Sequence, residues 1–169
     1  MKFEQYNFAD EIKRNIADAG FRRPTDIQFK SIGPILQGDD VLAIAQTGTG
    51  KTAAFAIPVI NKIHEQKFSS RSDGIRCMVM VPTRELALQI TEVFQSIARH
   101  TRVKVFCLMG GVEQEPQIAR LEQGIDIVVA TPGRMFDLVS QGHLKLNSIE
   151  ILILDEADHM LDLGFINDL

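Results

Sequence analysis

From residue 75 onward the chain alternates short apolar runs with longer stretches in which apolar residues recur every three or four positions. Residues 75–81, 103–109, 125–130 and 150–154 are short and predominantly apolar, which predicts buried strands. Residues 84–99 place Leu86, Ile90, Val93, Phe94 and Ile97 on one helical face. A weaker helix is expected to end near Gly124, and another runs from the Thr131-Pro132-Gly133-Arg134 stretch to Ser140. Upstream, residues 10–19 form an amphipathic pattern with Ile12 and Ile16 on one face and Gly20 placed to stop it. Thr25 and Gln28 fit a capping box opening a second helix, which Gly33-Pro34 interrupts. Residues 38–40 turn the chain into Val41-Leu42-Ala43-Ile44, read as a further short buried strand. A helix then covers 52–64, kinked at Pro58, and a polar loop covers 67–74.

Apolar strands alternating with helices predict an α/β fold with a predominantly parallel sheet and right-handed crossovers. In such sheets ligands sit beyond the carboxyl ends of the strands. The polar, glycine-bearing and acidic stretches of this chain fall at those ends: 46–52, 82–85, 110–111, 131–134 and 155–158.

Composition narrows the class only modestly. The 169 residues are 45% hydrophobic and 24% charged, ordinary for a soluble domain with a real core. No apolar run approaches the roughly 18 residues of a membrane span, and the N-terminus lacks the apolar core of a signal peptide, so a cytoplasmic protein is expected. Cys77 and Cys107 lie within apolar strand-like runs and read as buried reduced thiols. A net charge of −4 argues against holding nucleic acid by a broad basic surface, though local arginines, backbone amides and helix N-termini can still grip phosphates.

Residues 45–52, Ala45-Gln46-Thr47-Gly48-Thr49-Gly50-Lys51-Thr52, carry the sharpest chemistry. A Gly/Thr-rich turn opening into a helix at Lys-Thr lets backbone N–H groups converge on phosphate oxygens at a helix N-terminus. Lys51 suits the β- and γ-phosphates and the Thr52 hydroxyl suits Mg²⁺. Ala45 stands where the general pattern asks for glycine, and a plain strand-to-helix turn is the other reading. The four apolar residues Ile151-Leu152-Ile153-Leu154 lead into the paired acids of Asp155-Glu156-Ala157-Asp158. A carboxylate there suits Mg²⁺ coordination, partly through water, and Glu156 suits a general base; solvated acids capping the next helix are the alternative.

With these two stretches on the page, the chain resembles the DEAD-box RNA helicases of superfamily 2. Pro82-Thr83-Arg84-Glu85-Leu86-Ala87, Gly110-Gly111 and Thr131-Pro132-Gly133-Arg134 match the family's other first-domain motifs in order; residues 20–28 match its Q motif, and Phe3 lies where it has an upstream aromatic. The family pattern tolerates Ala45. The resemblance covers nearly all of the chain and implies a RecA-like P-loop NTPase domain, residues 1–169, incomplete at its C-terminus.

What the resemblance implies for individual residues goes further than spacing. ATP and Mg²⁺ are the implied ligands. Gln28 binds the adenine edge, whose donor and acceptor a carboxamide matches, with Phe3 stacking on the base and Arg23 beside it. Gln46, Thr47, Gly48, Thr49, Gly50, Lys51 and Thr52 hold the phosphates, Thr52 and Asp155 the Mg²⁺, and Lys51, Asp155 and Glu156 serve catalysis. Pro82, Thr83, Arg84, Gly110, Gly111, Thr131, Pro132, Gly133 and Arg134 line the path of an RNA sugar–phosphate backbone, read with little sequence preference; as turns and helix caps these stretches also have a purely structural reading. His159 reads as a partly exposed helix residue, and Phe94, Phe106 and Phe136 as core. The family continues past such a chain with a Ser-Ala-Thr strand, lying between the phosphate-loop strand and the Asp155 strand, and with a second RecA-like domain bearing arginine fingers. The expectation is therefore a fragment with an open sheet edge and very weak ATPase of its own, since an arginine finger contributes about 10³ to 10⁵ in rate. The parent is expected to unwind RNA duplexes with ATP; an ATP-gated RNA clamp or a nucleotide-binding fragment are the alternatives.

Overall fold

The computed structural model describes residues 1–69 and 74–164. The chain divides into two compact units, Met1–Arg71 with Glu92–Val103, and Ser72–Thr91 with Lys104–Leu169. Residues 70–73 of the expected polar loop lie outside the described residues.

The first unit is helical. A 3-10 turn, Phe3–Gln5, precedes α1 (Asp10–Asp18), α2 (Asp26–Gln37) and α3 (Lys51–Ser69). Ile12 and Ile16 are buried on α1, as their spacing requires. α1 is joined to the second half of α4 (Arg84–Ala98) by Asn15, which is buried and donates through Nδ2 to the Ile97 carbonyl at 2.8 Å. α2 does not stop at Gly33-Pro34 but runs on to Gln37 and ends at Gly38. Pro34 forfeits one backbone hydrogen bond, and the packing of α2 on α3 outweighs that local loss. α3 likewise passes through Pro58 and reaches Ser69, beyond the expected end at 64.

The segment 41–44 is a correction to the sequence reading. It forms no strand, and Leu42 and Ile44 are 91% and 90% exposed. An apolar run becomes a strand only when a neighbour pairs with its backbone N–H and C=O groups, and no ladder partner for 41–44 exists among the described residues.

The second unit holds the sheet. β1 (Cys77–Met80), β2 (Val105–Leu108), β3 (Ile127–Ala130) and β4 (Ile151–Leu154) are all parallel, in the order β2-β3-β1-β4. β1 and β3 are buried throughout, which is why they read as unbroken apolar runs. α5 (Glu115–Glu122), α6 (Pro132–Ser140) and α7 (Ala157–Asp162) follow β2, β3 and β4 in turn. Met78, Met80, Leu108, Val128, Met135, Leu138 and Met160 form one core cluster, with Phe106 and Phe136 packed at its margin. β4 is an edge among the described strands, with Leu152 and Leu154 exposed.

Asp126 closes the start of the sheet: its carboxylate accepts from Lys104 N–H at 2.7 Å. Burial pushes the thiols of Cys77 and Cys107 upward, so both stay neutral; Cys77 is buried as expected, whereas Cys107 is only half-buried.

Phe94 is fully buried and lies with its ring centroid 6.0 Å from that of Phe55. Phe94→Ala is expected to cost about 3 to 5 kcal/mol, read as a lower denaturant midpoint at unchanged slope.

Candidate functional site

In the first unit, the turn preceding α3 has the shape its sequence implies. Gly48 and Gly50 take φ of +83° and +82°, and the Thr49 hydroxyl donates to the Gln46 carbonyl at 2.7 Å. Lys51 opens the helix, and Ala54 N–H closes its first turn on the Gly50 carbonyl at 3.1 Å. Gln46, Thr47 and Gly48 are exposed, and Thr49, Gly50, Lys51 and Thr52 half-buried, so the amides and the Thr52 hydroxyl at this helix N-terminus face an open approach.

Gln28 is fully buried, and its carboxamide does two jobs. Its Oε1 accepts from the Thr25 N–H at 3.0 Å, completing the capping box of α2. Its Nε2 donates to the Gly50 carbonyl at 3.0 Å, tying the start of α2 to the glycine-bearing turn before α3. One N–H and one lone pair of the carboxamide remain beyond these bonds. The contact is close: a Cβ on Gly50 would sit 2.5 Å from Gln28 Nε2.

Phe3 and Arg23 meet elsewhere in this unit. They line a cavity of about 520 Å³ together with Lys2, Lys13, Phe21 and Arg22. Phe3 is buried, with Phe21 edge-on at 6.3 Å and Tyr6 tilted at 6.2 Å, and the acid Glu4 lines the cavity beside its four cationic residues. Gln28 is not among the residues that line it.

In the second unit the acidic stretch follows β4. Asp155 is 5% exposed; its N–H extends the ladder to the Met80 carbonyl, and its Oδ1 accepts from Glu156 N–H at 3.0 Å. Glu156 caps α7 with φ +52° and ψ +48°, a left-handed conformation costly for a side chain of this kind. That turn presents a half-buried Glu156 carboxylate, whose Oε2 lies 3.3 Å from His159 Nδ1. His159 is partly exposed as expected, but its pairing with Glu156 was not visible in the sequence.

The remaining strand-end stretches converge through side chains. Thr83 caps α4 through its hydroxyl, which accepts from Leu86 N–H at 3.3 Å. The Arg84 guanidinium lies over Gly111, occupying the space a Cβ would fill, and Gly111 itself takes φ +74°. Arg134 donates to the Val112 carbonyl at 3.0 Å and to Gln117 Oε1 at 3.1 Å. Arg84, Gly111 and Gly133 are exposed, Pro82, Thr83, Gly110 and Arg134 half-buried, while Thr131 and Pro132 are buried and serve to start α6. Thr131 and Pro132 therefore offer a ligand little side-chain surface. Gln117 is the residue that sequence reasoning missed. Its only local signal was a polar side chain on the inward side of a weakly amphipathic helix.

Among the described residues no group of three or more His, Cys, Asp or Glu is placed to hold a metal ion by itself. The Thr52 hydroxyl in the first unit and the buried Asp155 carboxylate in the second are each hard oxygen donors, the type Mg²⁺ prefers. No helix among those described is long and apolar enough to cross a membrane.

Residues 25–169 match the family model described as DEAD/DEAH box helicase. Over 163 residues the chain is 42% identical to the mouse protein "Probable ATP-dependent RNA helicase DDX17", covering 96% of this chain and 25% of that one. It is 41% identical to "ATP-dependent RNA helicase DBP2" of Encephalitozoon cuniculi, covering 97% of this chain and 33% of that one. A solved DEAD box protein from Methanococcus jannaschii superposes with a TM-score of 0.90 at 41% identity, covering 99% of this chain and 45% of the other. A hypothetical ATP-dependent RNA helicase from Sulfolobus tokodaii gives a TM-score of 0.84 at 42% identity, over 94% and 44%. The chain thus spans between 25% and 33% of these two curated relatives and under half of the solved ones.

Proposed function

Because the chain belongs to the DEAD/DEAH box helicase family, we propose that the whole protein is an ATP-dependent RNA helicase, to which this chain contributes nucleotide-binding residues and part of an RNA-binding surface. The observation that carries the reading is the bond from Gln28 to the Gly50 carbonyl. It couples a side chain suited to reading adenine to the turn suited to holding its phosphates, so the state of the base is felt at the phosphate loop.

In this reading the amides of residues 46–52 and the Lys51 ammonium bind the triphosphate of ATP. The spare N–H and lone pair of Gln28 suit N7 and N6 of adenine, with Phe3 stacking on the base and Arg23 beside it. Thr52 and Asp155 would hold Mg²⁺, which would supply neutralising charge to the phosphate oxygens. Glu156 accepts the proton of the attacking water, its carboxylate held in place by the left-handed turn and by His159. Arg84, the Gly110-Gly111 turn, Gly133 and Arg134 grip the sugar–phosphate backbone of single-stranded RNA, with Thr83 fixing the start of α4. A second RecA-like domain of the same parent chain supplies the remaining catalytic charge, and the protein works in the cytoplasm.

The test is strand release from a short fluorescent RNA duplex by the full-length protein. Release that requires ATP and is lost in Lys51→Ala supports the reading. Release that ignores ATP, or that survives Lys51→Ala, contradicts it. Tight ATP-dependent RNA binding with no strand release identifies a clamp instead.

A further inference from the structure

We propose that Gln117 is a positioning residue for RNA binding: its buried carboxamide locks Arg134 to the Gly110-Gly111 turn, so that both meet an RNA strand as one surface. The inference rests on the reading that Arg134 and this turn hold RNA.

Gln117 lies on α5 and is 5% exposed, so it touches no ligand itself. A carboxamide at that depth must be paired. Its Nε2 donates to the Met109 carbonyl at 3.1 Å, and its Oε1 accepts from Arg134 Nη1 at 3.1 Å. Arg134 Nη2 in turn donates to the Val112 carbonyl at 3.0 Å. Met109 and Val112 are the residues on either side of Gly110-Gly111. The turn is therefore pinned at both ends by one Gln–Arg pair, while Gly111 lies beneath the Arg84 guanidinium.

The chemistry selects the residue type. One end must donate to a carbonyl and the other must accept from a guanidinium, which a carboxamide does and a carboxylate or thioether does not. Arg134 spends two of a guanidinium's five N–H donors on these bonds and keeps its charge for a phosphate. Held this way, the arginine gives up its rotamer freedom before RNA arrives rather than on binding.

The experiment compares full-length wild type with Gln117→Met, Arg134→Ala and the double variant. Anisotropy of a fluorescent oligo-uridine RNA is read with a non-hydrolysable ATP analogue across a salt series, and affinity for a fluorescent ADP is read in parallel. Gln117→Met is expected to weaken RNA binding about tenfold and to lower the slope of log affinity against log salt by about 0.7, with ADP affinity unchanged. The double variant should bind RNA no more weakly than Arg134→Ala alone, because Gln117 acts through Arg134. Additive losses, or RNA and ADP affinity falling in step, would make Gln117 an ordinary fold residue and overturn the inference. Gln117→Glu keeps the test open should the methionine variant not fold: it places a negative charge on Arg134 and loses the Met109 bond, so unchanged RNA affinity there contradicts the inference as well. If Arg134→Ala leaves RNA affinity and salt slope intact, the underlying reading of the RNA surface fails, and this inference with it.

Discussion

Glu156→Gln in the full-length protein is expected to lower RNA-stimulated ATP hydrolysis by about 10²- to 10⁴-fold, with KM for ATP and affinity for RNA close to wild type. Glutamine matches glutamate in shape, so the left-handed turn at φ +52° and the start of α7 survive the exchange. What is lost is the basic oxygen and its charge-assisted contact with His159, which lies 3.3 Å away. A selective fall in kcat is the signature of a group that acts on the reacting water and not on binding. Steady-state ATPase at saturating RNA is the measurement. Activity within twofold of wild type would remove Glu156 from the role of base.

Gly50→Ala is expected to reduce nucleotide affinity by about two orders of magnitude, combining two costs that separate variants distinguish. The first is conformational: at φ +82° an alanine is disfavoured by about 1 kcal/mol. The second is steric and specific to this fold. The new Cβ would stand 2.5 Å from Gln28 Nε2, forcing the carboxamide off the Gly50 carbonyl and away from the Thr25 N–H. Losing those two bonds at a buried site accounts for about 1 to 3 kcal/mol. Pairing Gly50→Ala with Gln28→Ala removes the steric conflict and leaves the conformational one. Titration of a fluorescent ADP into the variants should therefore show less than additive loss in the double variant. Strict additivity would mean that Gln28 and the phosphate-binding turn are not coupled.

The pattern of apolar runs located the strands of the sheet more reliably than the segments around them. Alternating apolar runs located all four strands of the parallel sheet, because β1 and β3 are buried on both faces and carry nothing but their own hydrophobicity as a signal. The same logic failed at 41–44. Four apolar residues specify a willingness to be buried, whereas a strand also needs a hydrogen-bonding neighbour, and that neighbour is not a local property. Val41, Leu42 and Ile44 stay exposed, and Leu152 and Leu154 on edge strand β4 are exposed too. Gly33-Pro34 misled for the opposite reason. There the local breaker was real, but tertiary packing of α2 against α3 carried the helix through it.

Gln28 and Gln117 mark the boundary of what local reading can reach. The capping-box role of Gln28 was legible because its partner, Thr25, is three residues away. The bond to Gly50 spans 22 residues and emerges only from the fold. Gln117 draws its partners from the end of β2 and from α6, two segments no spacing rule connects to it. Both residues show one pattern: a buried carboxamide joining two segments that are distant in sequence.

The central claim is that the phosphate-binding turn, the acidic turn and the arginine-bearing surface belong to an RNA-dependent ATPase. The most direct measurement is the rate of ATP hydrolysis by the full-length protein, with and without single-stranded RNA, beside the same measurement with GTP and with DNA. The expected result is hydrolysis that is slow alone, strongly stimulated by RNA, and small with GTP or DNA. Hydrolysis indifferent to RNA, or equal for GTP and ATP, would contradict the account.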